Sequence, residues 1–352
     1  MPRQQREVRH SCPNTQGQFY GQSGKGNIIR YGFFNLKRGK RRRYRCKVCG
    51  GTFCSTTATV YHRIHRSRNT FDEVCSLSVE GLSKSAIARV KRLSWNTVSR
   101  WLERAAQAAK QFSKRRLRGF VLQELQLDEI RTFLDSKKRP IWIITVIEVW
   151  SRLWPSCVLG RRSYRNIRRL LRDLLSRSEF TCPILITTDG FAPYEWVIRR
   201  MFGPACIYSQ VIKARRKNRV VAIDRKLLIG SKEQLEDALF NSEDSDTLNT
   251  SFVERHNLII RQGSSYLHRK TAAHARWPHR LQEHLELLRC HYNFIRPHMA
   301  LQFGTIRRTP AMQAGLTSRP LTFRQIFTST VLIVFVIWAR NQSVLTNQRK
   351  AA

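Results

Sequence analysis

The stretch VLQELQLDEIRTFLDSKKRPIWIITVIEVWSRLWPSCVLG, residues 121–160, carries the pattern that decides the fold. Residues 121–128 set Val121, Leu125 and Leu127 ahead of Asp128 and read as a strand. Residues 135–140 form a polar turn that ends in Pro140. Residues 141–149 are dense in β-branched side chains, as a central strand is, and 154–160 supply a third strand. Together they predict an antiparallel meander.

Downstream, 164–177 reads as a helix, with Ile167, Leu170, Leu171, Leu174 and Leu175 at helical spacing. A fourth strand over 184–188 ends in Asp189-Gly190. A helix over 194–201, a fifth strand over 206–212 and a closing helix from near Thr250, carrying Glu254, follow. That order is the order of a ribonuclease-H-like fold with a mixed five-stranded sheet. The expected class is α/β (α+β multidomain). The expected domains are a zinc-ribbon-like basic module (1–66), a helix-turn-helix (69–112), a catalytic domain (120–300) and a basic C-terminal tail (301–352).

In such a fold the first and fourth strands are neighbours, so Asp128 and Asp189, each read as ending its strand, should converge. Glu254 should sit in the first turn of its helix, with Asn249, Thr250 and Ser251 available as caps. Glu254, Asn257 or Leu258, and Arg261 share one face of that helix. Three convergent carboxylates repel one another unless a cation lies among them. Oxygen-only ligation favours Mg²⁺ or Mn²⁺, and a pair of ions about 3.5–4 Å apart suits phosphodiester chemistry. Strand alternation points Glu129 to the opposite face. Glu243, Asp244 and Asp246 read as a solvated loop. Taken singly, an aspartate after a strand is an ordinary turn residue, Asp189-Gly190 included.

The net charge is +40, from 64 Lys and Arg against 24 Asp and Glu, and 41% of residues are hydrophobic. The apolar share excludes a disordered polyelectrolyte, and the surplus charge calls for a polyanion, nucleic acid first. No basic amphipathic helix that would favour a membrane surface stands out. The apolar run over 331–339 is nine residues, short of the about 20 a span needs. Without a signal peptide, the nine cysteines do not read as a secreted framework, and those at 75, 157, 182, 206 and 290 read as buried reduced thiols. The expected location is cytoplasmic, associated with the nucleoid.

Seven of the nine residues 37–45 are basic: Lys37, Arg38, Lys40, Arg41, Arg42, Arg43 and Arg45. Beside Tyr44 they suit a strand or turn lying on a phosphate backbone. Residues 81–105 read as helix-turn-helix. Ser83, Lys84 and Ser85 open a helix with Ile87, Ala88 and Val90, and Leu93-Ser94 makes the turn. A second helix over 96–106 buries Val98, Trp101 and Leu102 and offers Asn96, Thr97, Ser99 and Arg100 to a major groove. A plain αα-hairpin fits the same spacing. The basic run 213–219 reads as a loop beside the cleft that holds a DNA strand. Cys46 and Cys49 make half of a zinc-ribbon signature, and Cys12 adds a third thiol. A structural site wants four tetrahedral ligands. Cys54, His10, His62 and His65 are candidates for the fourth, and a lost site with free thiols is the alternative.

The segments 127–129 (LDE), 147–152 (IEVWSR), 188–190 (TDG), 249–255 (NTSFVER) and 292–298 (YNFIRPH) resemble the insertion-sequence-one family of transposases in its single-chain form, over residues 10–328. The resemblance implies that Asp128, Asp189 and Glu254 are the metal-binding DDE triad and that Arg261 touches DNA near the cleavage site. It also implies a cysteine where Gly17 stands in Cys12-Pro13-Asn14-Thr15-Gln16-Gly17, and an end near Phe327, so the apolar tail departs from the pattern. The expected activity is metal-dependent cleavage and strand transfer at the terminal inverted repeats of a mobile element, by a homodimer or higher assembly on double-stranded DNA. The alternatives are an inactive, transposase-derived DNA-binding protein and a ribonuclease-H-like nuclease.

Overall fold

The computed structural model describes residues 10–22, 24–36, 39–217, 219–242 and 244–329; the apolar run 331–339, Lys37 and Arg38 lie outside them, as do the side chain of Cys182 and all of Glu243. The chain packs as two compact units, one made of the residues before Glu73 with those after Phe323, the other of Glu73–Phe323.

In the smaller unit β1 (Ile28–Leu36), β2 (Gly39–Cys46) and β3 (Thr52–Cys54) form an antiparallel sheet. Its small core is Cys12, Ile28, Cys46 and Phe53, with Tyr44 and Cys49 against it. A second cluster packs Tyr61, Phe71 and Phe327 edge to face, with ring centroids 5.4–6.2 Å apart. Arg324 pairs with Asp72 at 2.7 Å beside it.

The larger unit is a mixed α/β structure. Helix α1 (Arg68–Val79) crosses the division at Glu73, and α2 (Lys84–Lys91) and α3 (Trp95–Arg116) follow within this unit. Ser83 caps α2 and Ser94 caps α3, while Arg92 turns the chain between them at φ 50°. Val98, Trp101 and Leu102 are buried as expected, and Asn96 and Arg100 are exposed. Ser99 is a correction: it is buried and accepts from Lys84 Nζ at 3.0 Å, because it lies on the flank of α3 that packs on α2. Thr97 is half-buried and bonded to Ser94 at 2.8 Å.

The sheet follows with β4 (Phe120–Leu134), β5 (Ser136–Glu148), β6 (Ser156–Gly160), α4 (Tyr164–Leu175), β7 (Ser178–Thr188), α5 (Ala192–Phe202), β8 (Cys206–Arg216) and β9 (Arg219–Ile229). Its strand order is β6-β5-β4-β7-β8-β9, six strands where five were expected. The first three are antiparallel neighbours, β4, β7 and β8 run parallel, and β9 returns antiparallel. The basic run 213–219 is therefore the end of a hairpin and not a free loop. The sequence does not announce β9 because most of it is exposed, so no alternation betrays it. After α6 (Lys232–Phe240) and α7 (Ser251–Gln262) comes α8 (Pro278–Phe294), another element without a clear sequence signal. It is buried along most of its length, and Asn293 clamps the backbone N–H and C=O of Trp154 at 2.9 and 2.8 Å. Phe294 meets Phe112 of α3 at 5.0 Å, so α3 belongs to the same packed body as the sheet.

Candidate active site

Asp128 does not end its strand; it lies in the interior of β4, which runs six residues further. The ladder to β7 stops at Gln126↔Thr187, so beyond it that edge of β4 is open, and Asp189 follows directly from the end of β7. The carboxylates of Asp128, Glu129 and Asp189 have oxygens within 4.8 Å of one another. Glu129 is thus a correction: its side chain joins Asp128. Alternation fixes only the direction in which a side chain leaves the backbone, and a glutamate can lean over an unpaired strand edge.

These groups line a cleft of about 780 Å³ together with Glu254, Asn257, Arg261, Lys213, Arg162 and Arg269. Asp128 accepts from the Glu129 N–H at 2.7 Å and from Asn257 Nδ2 at 2.8 Å. Burial, with the negative charges of Glu129, Asp189 and Glu254, pushes its carboxyl up to about 7. Arg162 Nη2 bridges Glu129 at 3.1 Å and Asp189 at 3.0 Å, and its guanidinium lies 3.7 Å from the Phe191 ring centroid. Asp189 also accepts from the Phe191 N–H at 3.1 Å, so its turn role and its place in the cleft coexist.

Glu254 stands in the first turn of α7 and lines the cleft outside the tight trio. Lys213 Nζ approaches it at 2.5 Å and Thr250 donates to it at 3.0 Å. Thr250 therefore does not cap the helix with its hydroxyl. Asn249 caps as expected, its Oδ1 accepting the Ser251 N–H at 3.0 Å, and a second cap comes from β4: the side-chain carbonyl of buried Gln126 accepts the Phe252 and Val253 N–H groups, each at 3.1 Å. No local signal could have revealed that, since the cap is more than 120 residues away in sequence. Asp246 is exposed, as a solvated loop requires, but Asp244 is a correction and is half-buried. Asp244 pairs with Arg152 at 2.5 Å, and Ser242 and Ser245 donate to buried Glu124 at 3.1 and 3.0 Å. Arg261 reaches the carbonyls of Arg131 and Leu267 at the mouth of the cleft.

The donor set suits a hard divalent cation. It is all oxygen, its charges crowd one another, and the buried Oδ1 of Asn257 has no hydrogen-bond partner among the described residues.

In the smaller unit the thiols of Cys12, Cys46 and Cys49 lie within 4.8 Å of one another, Cys12 to Cys49 at 3.5 Å. Burial pushes the Cys12 thiol up to about 12. Burial pushes Cys46 the same way, but the Cys49 and Val48 N–H groups and the two neighbouring thiols bring it down to about 7. Cys54 is a correction. It stands apart from the trio, and although burial raises its thiol, bonds from His62, Thr56 and Thr57 hold it near 5. The end of β3 turns Cys54 toward the Thr56–Thr57 turn, where both hydroxyls approach its sulfur, at 3.1 and 3.5 Å. His10 packs on Tyr44 with centroids 4.4 Å apart, and His65 is exposed. Three thiols fit part of a zinc site, and no fourth Cys, His, Asp or Glu joins them among the described residues. On the neighbouring strands Arg42 lies over Phe33 and Arg43 over Phe34, so the basic run is interleaved with aromatic rings.

Among the described residues no helix is long and apolar enough to cross a membrane. No protein-family model matches the chain, and no curated protein matches it.

Proposed function

We propose that the chain is a DNA transposase of the insertion-sequence-one type, built on a ribonuclease-H-like sheet and cutting and joining DNA in the acidic cleft. What supports this reading is the gathering of Asp128, Glu129 and Asp189, with Glu254, in one cleft that basic side chains also line. Asp128 and Asp189, with Glu254 and Glu129 beside them, would hold divalent ions. Those ions would supply the activation of water and the stabilisation of the leaving oxygen. Lys213, Arg261 and Arg269 would position the scissile phosphate by charge. Water would form the new P–O bond and a 3′-hydroxyl would leave; that hydroxyl would then attack a target phosphorus, joining the element to the target's 5′-phosphate as the P–O3′ bond breaks and the target's own 3′-hydroxyl leaves. Exposed Asn96 and Arg100 on α3 and the arginines of β2 would bind the element ends, two of which require at least a dimer. Cys12, Cys46 and Cys49 would hold a structural zinc.

A second reading has its own observation. Arg162 on Glu129 and Asp189, and Lys213 on Glu254, already offer the carboxylates counter-charges from the chain itself. That suits a DNA-binding protein without catalysis. Labelled element ends, a target plasmid and Mg²⁺ separate the readings. Joined products support transposition, cleavage without joining supports a nuclease, and retarded but intact DNA supports the binder.

A further inference from the structure

No basic amphipathic helix stands out in the sequence, yet α4 is one. Ile167, Leu170, Leu171 and Leu174 are fully buried, while Arg165, Arg168, Arg169 and Arg172 stand exposed on the opposite side at helical spacing. With Arg161, just before the helix, they line a second groove of about 710 Å³. Its polar neighbour Asn166 is already tied to the Arg161 carbonyl at 2.8 Å. The one acid on α4, Asp173, is taken by Arg177 and by Ser156 of β6. Among the described residues no carboxylate pairs with the five arginines of the groove.

Five uncompensated guanidinium groups on one face repel one another, and a polyanion relieves that repulsion. From Arg165 to Arg172 the row extends about 10 Å at the α-helical rise, the length of about three base pairs. An anionic bilayer is a poor fit, because a surface helix must sink an apolar face and that of α4 is consumed by the core. The row also leads to the cleft, since Arg162, next to Arg161, bridges Glu129 and Asp189. At that end Tyr164 and Trp196 form an exposed edge-to-face pair, with ring centroids 5.6 Å apart.

We infer that the arginine face of α4 is a sequence-independent platform for duplex DNA, holding the backbone of the DNA that the acidic cleft acts upon. The platform rests on the proposed function only for the identity of the DNA; the charge argument stands by itself. Guanidinium groups take phosphate oxygens in bidentate fashion and fix position without reading sequence. The occupant is thus the acceptor duplex, which an element must enter without a unique sequence, and not the recognised ends.

The test uses the full chain carrying Asp189→Asn, with no Mg²⁺ or Mn²⁺ added, so that no chemistry intervenes. Binding of a random-sequence duplex is followed by fluorescence anisotropy between about 50 and 200 mM salt. The added substitutions Arg165→Gln, Arg168→Gln, Arg169→Gln and Arg172→Gln should make the plot of log K against log salt shallower by about 3 to 4, at about 0.9 for each phosphate no longer neutralised. The same four positions as lysine should restore the slope, and the pair Arg165→Gln and Arg168→Gln should change it about half as much. An unchanged slope in the fourfold variant overturns the platform. So does polyglutamate competing with the duplex at equal charge, which would assign the face to an acidic polypeptide. Absence of strand transfer by the unaltered chain would sink the transposase reading alone and leave this slope untouched.

Discussion

The thiol trio and the carboxylate cluster are both groups of like ligands within 4.8 Å, yet they are assembled differently. Cys46 and Cys49 share one turn, whose own N–H groups bond the Cys46 sulfur. Only Cys12 is brought in from a distance. The clustered carboxylates come from the interior of β4 and from just past the end of β7, with Glu254 of α7 lining the same cleft outside the cluster; local bonds hold single groups, as the Phe191 N–H holds Asp189, but only the pairing of distant strands brings them together. A site made by a turn should survive damage to distant packing. A site made by tertiary structure should not.

Four expected outcomes sharpen or break that contrast. The largest is at the cleft itself. Asp189→Asn should cost several kcal/mol of transition-state stabilisation, about a thousandfold or more in strand transfer, with end binding retained. Full activity in that variant would end the ligand assignment. The next is at the trio. Purified chain should carry zinc by elemental analysis, Cys46→Ser should lose it and Cys54→Ser should keep it, because Cys54 belongs to a separate network. Equal loss in both variants would show that the two cysteine sites are one.

Gln126→Leu tests tertiary support. It leaves the N–H groups of Phe252 and Val253 uncapped, at about 1–3 kcal/mol of stability, and frees α7 to shift Glu254. Urea unfolding should register that cost and strand transfer should fall, while zinc content stays unchanged. Zinc lost along with activity would contradict the separation of the two sites.

The smallest outcome concerns pH. Burial holds His284 near pKa 4 despite its bond to the Gly263 carbonyl at 3.0 Å. Its folded value lies below the unfolded one of about 6.5, so its contribution is complete above that pH and is lost as pH falls toward 4. Asp128 and Glu148, each pushed up to about 7 by burial, act in the opposite sense. Comparing wild type with His284→Gln cancels the carboxylates. Between pH 6.5 and 5 the wild type should lose about 2 kcal/mol more than the variant. Parallel pH profiles would show that this histidine titrates in the folded chain as it does in the unfolded one.

Much of this molecule is written in local pattern. Apolar and β-branched runs marked β4 to β6, β7 and β8, helical spacing marked α4, and Ser83 announced the cap of α2, while Ser94, read as part of the turn, caps α3. Acidic residues at strand ends and a helix start named Asp128, Asp189 and Glu254 as one candidate set. Local pattern works there because burial of one face imposes a period on the residues that make it.

What the sequence could not settle depends on neighbours distant along the chain. The exposed strand β9 and the buried helix α8 carry no clean period, because solvent or core surrounds most of their faces alike. Glu129 joined the cleft because β7 stops short and leaves one edge of β4 open. Gln126 caps a helix that begins about 125 residues later. Ser99 left the exposed face of α3 for a bond with Lys84, and Cys54 left the thiol trio for His62. In each case residue type and spacing fixed which chemistry was available. Only the packing of strand against strand and helix against sheet decided which groups meet, because a side chain's reach is a few ångströms while its partners lie anywhere along the chain.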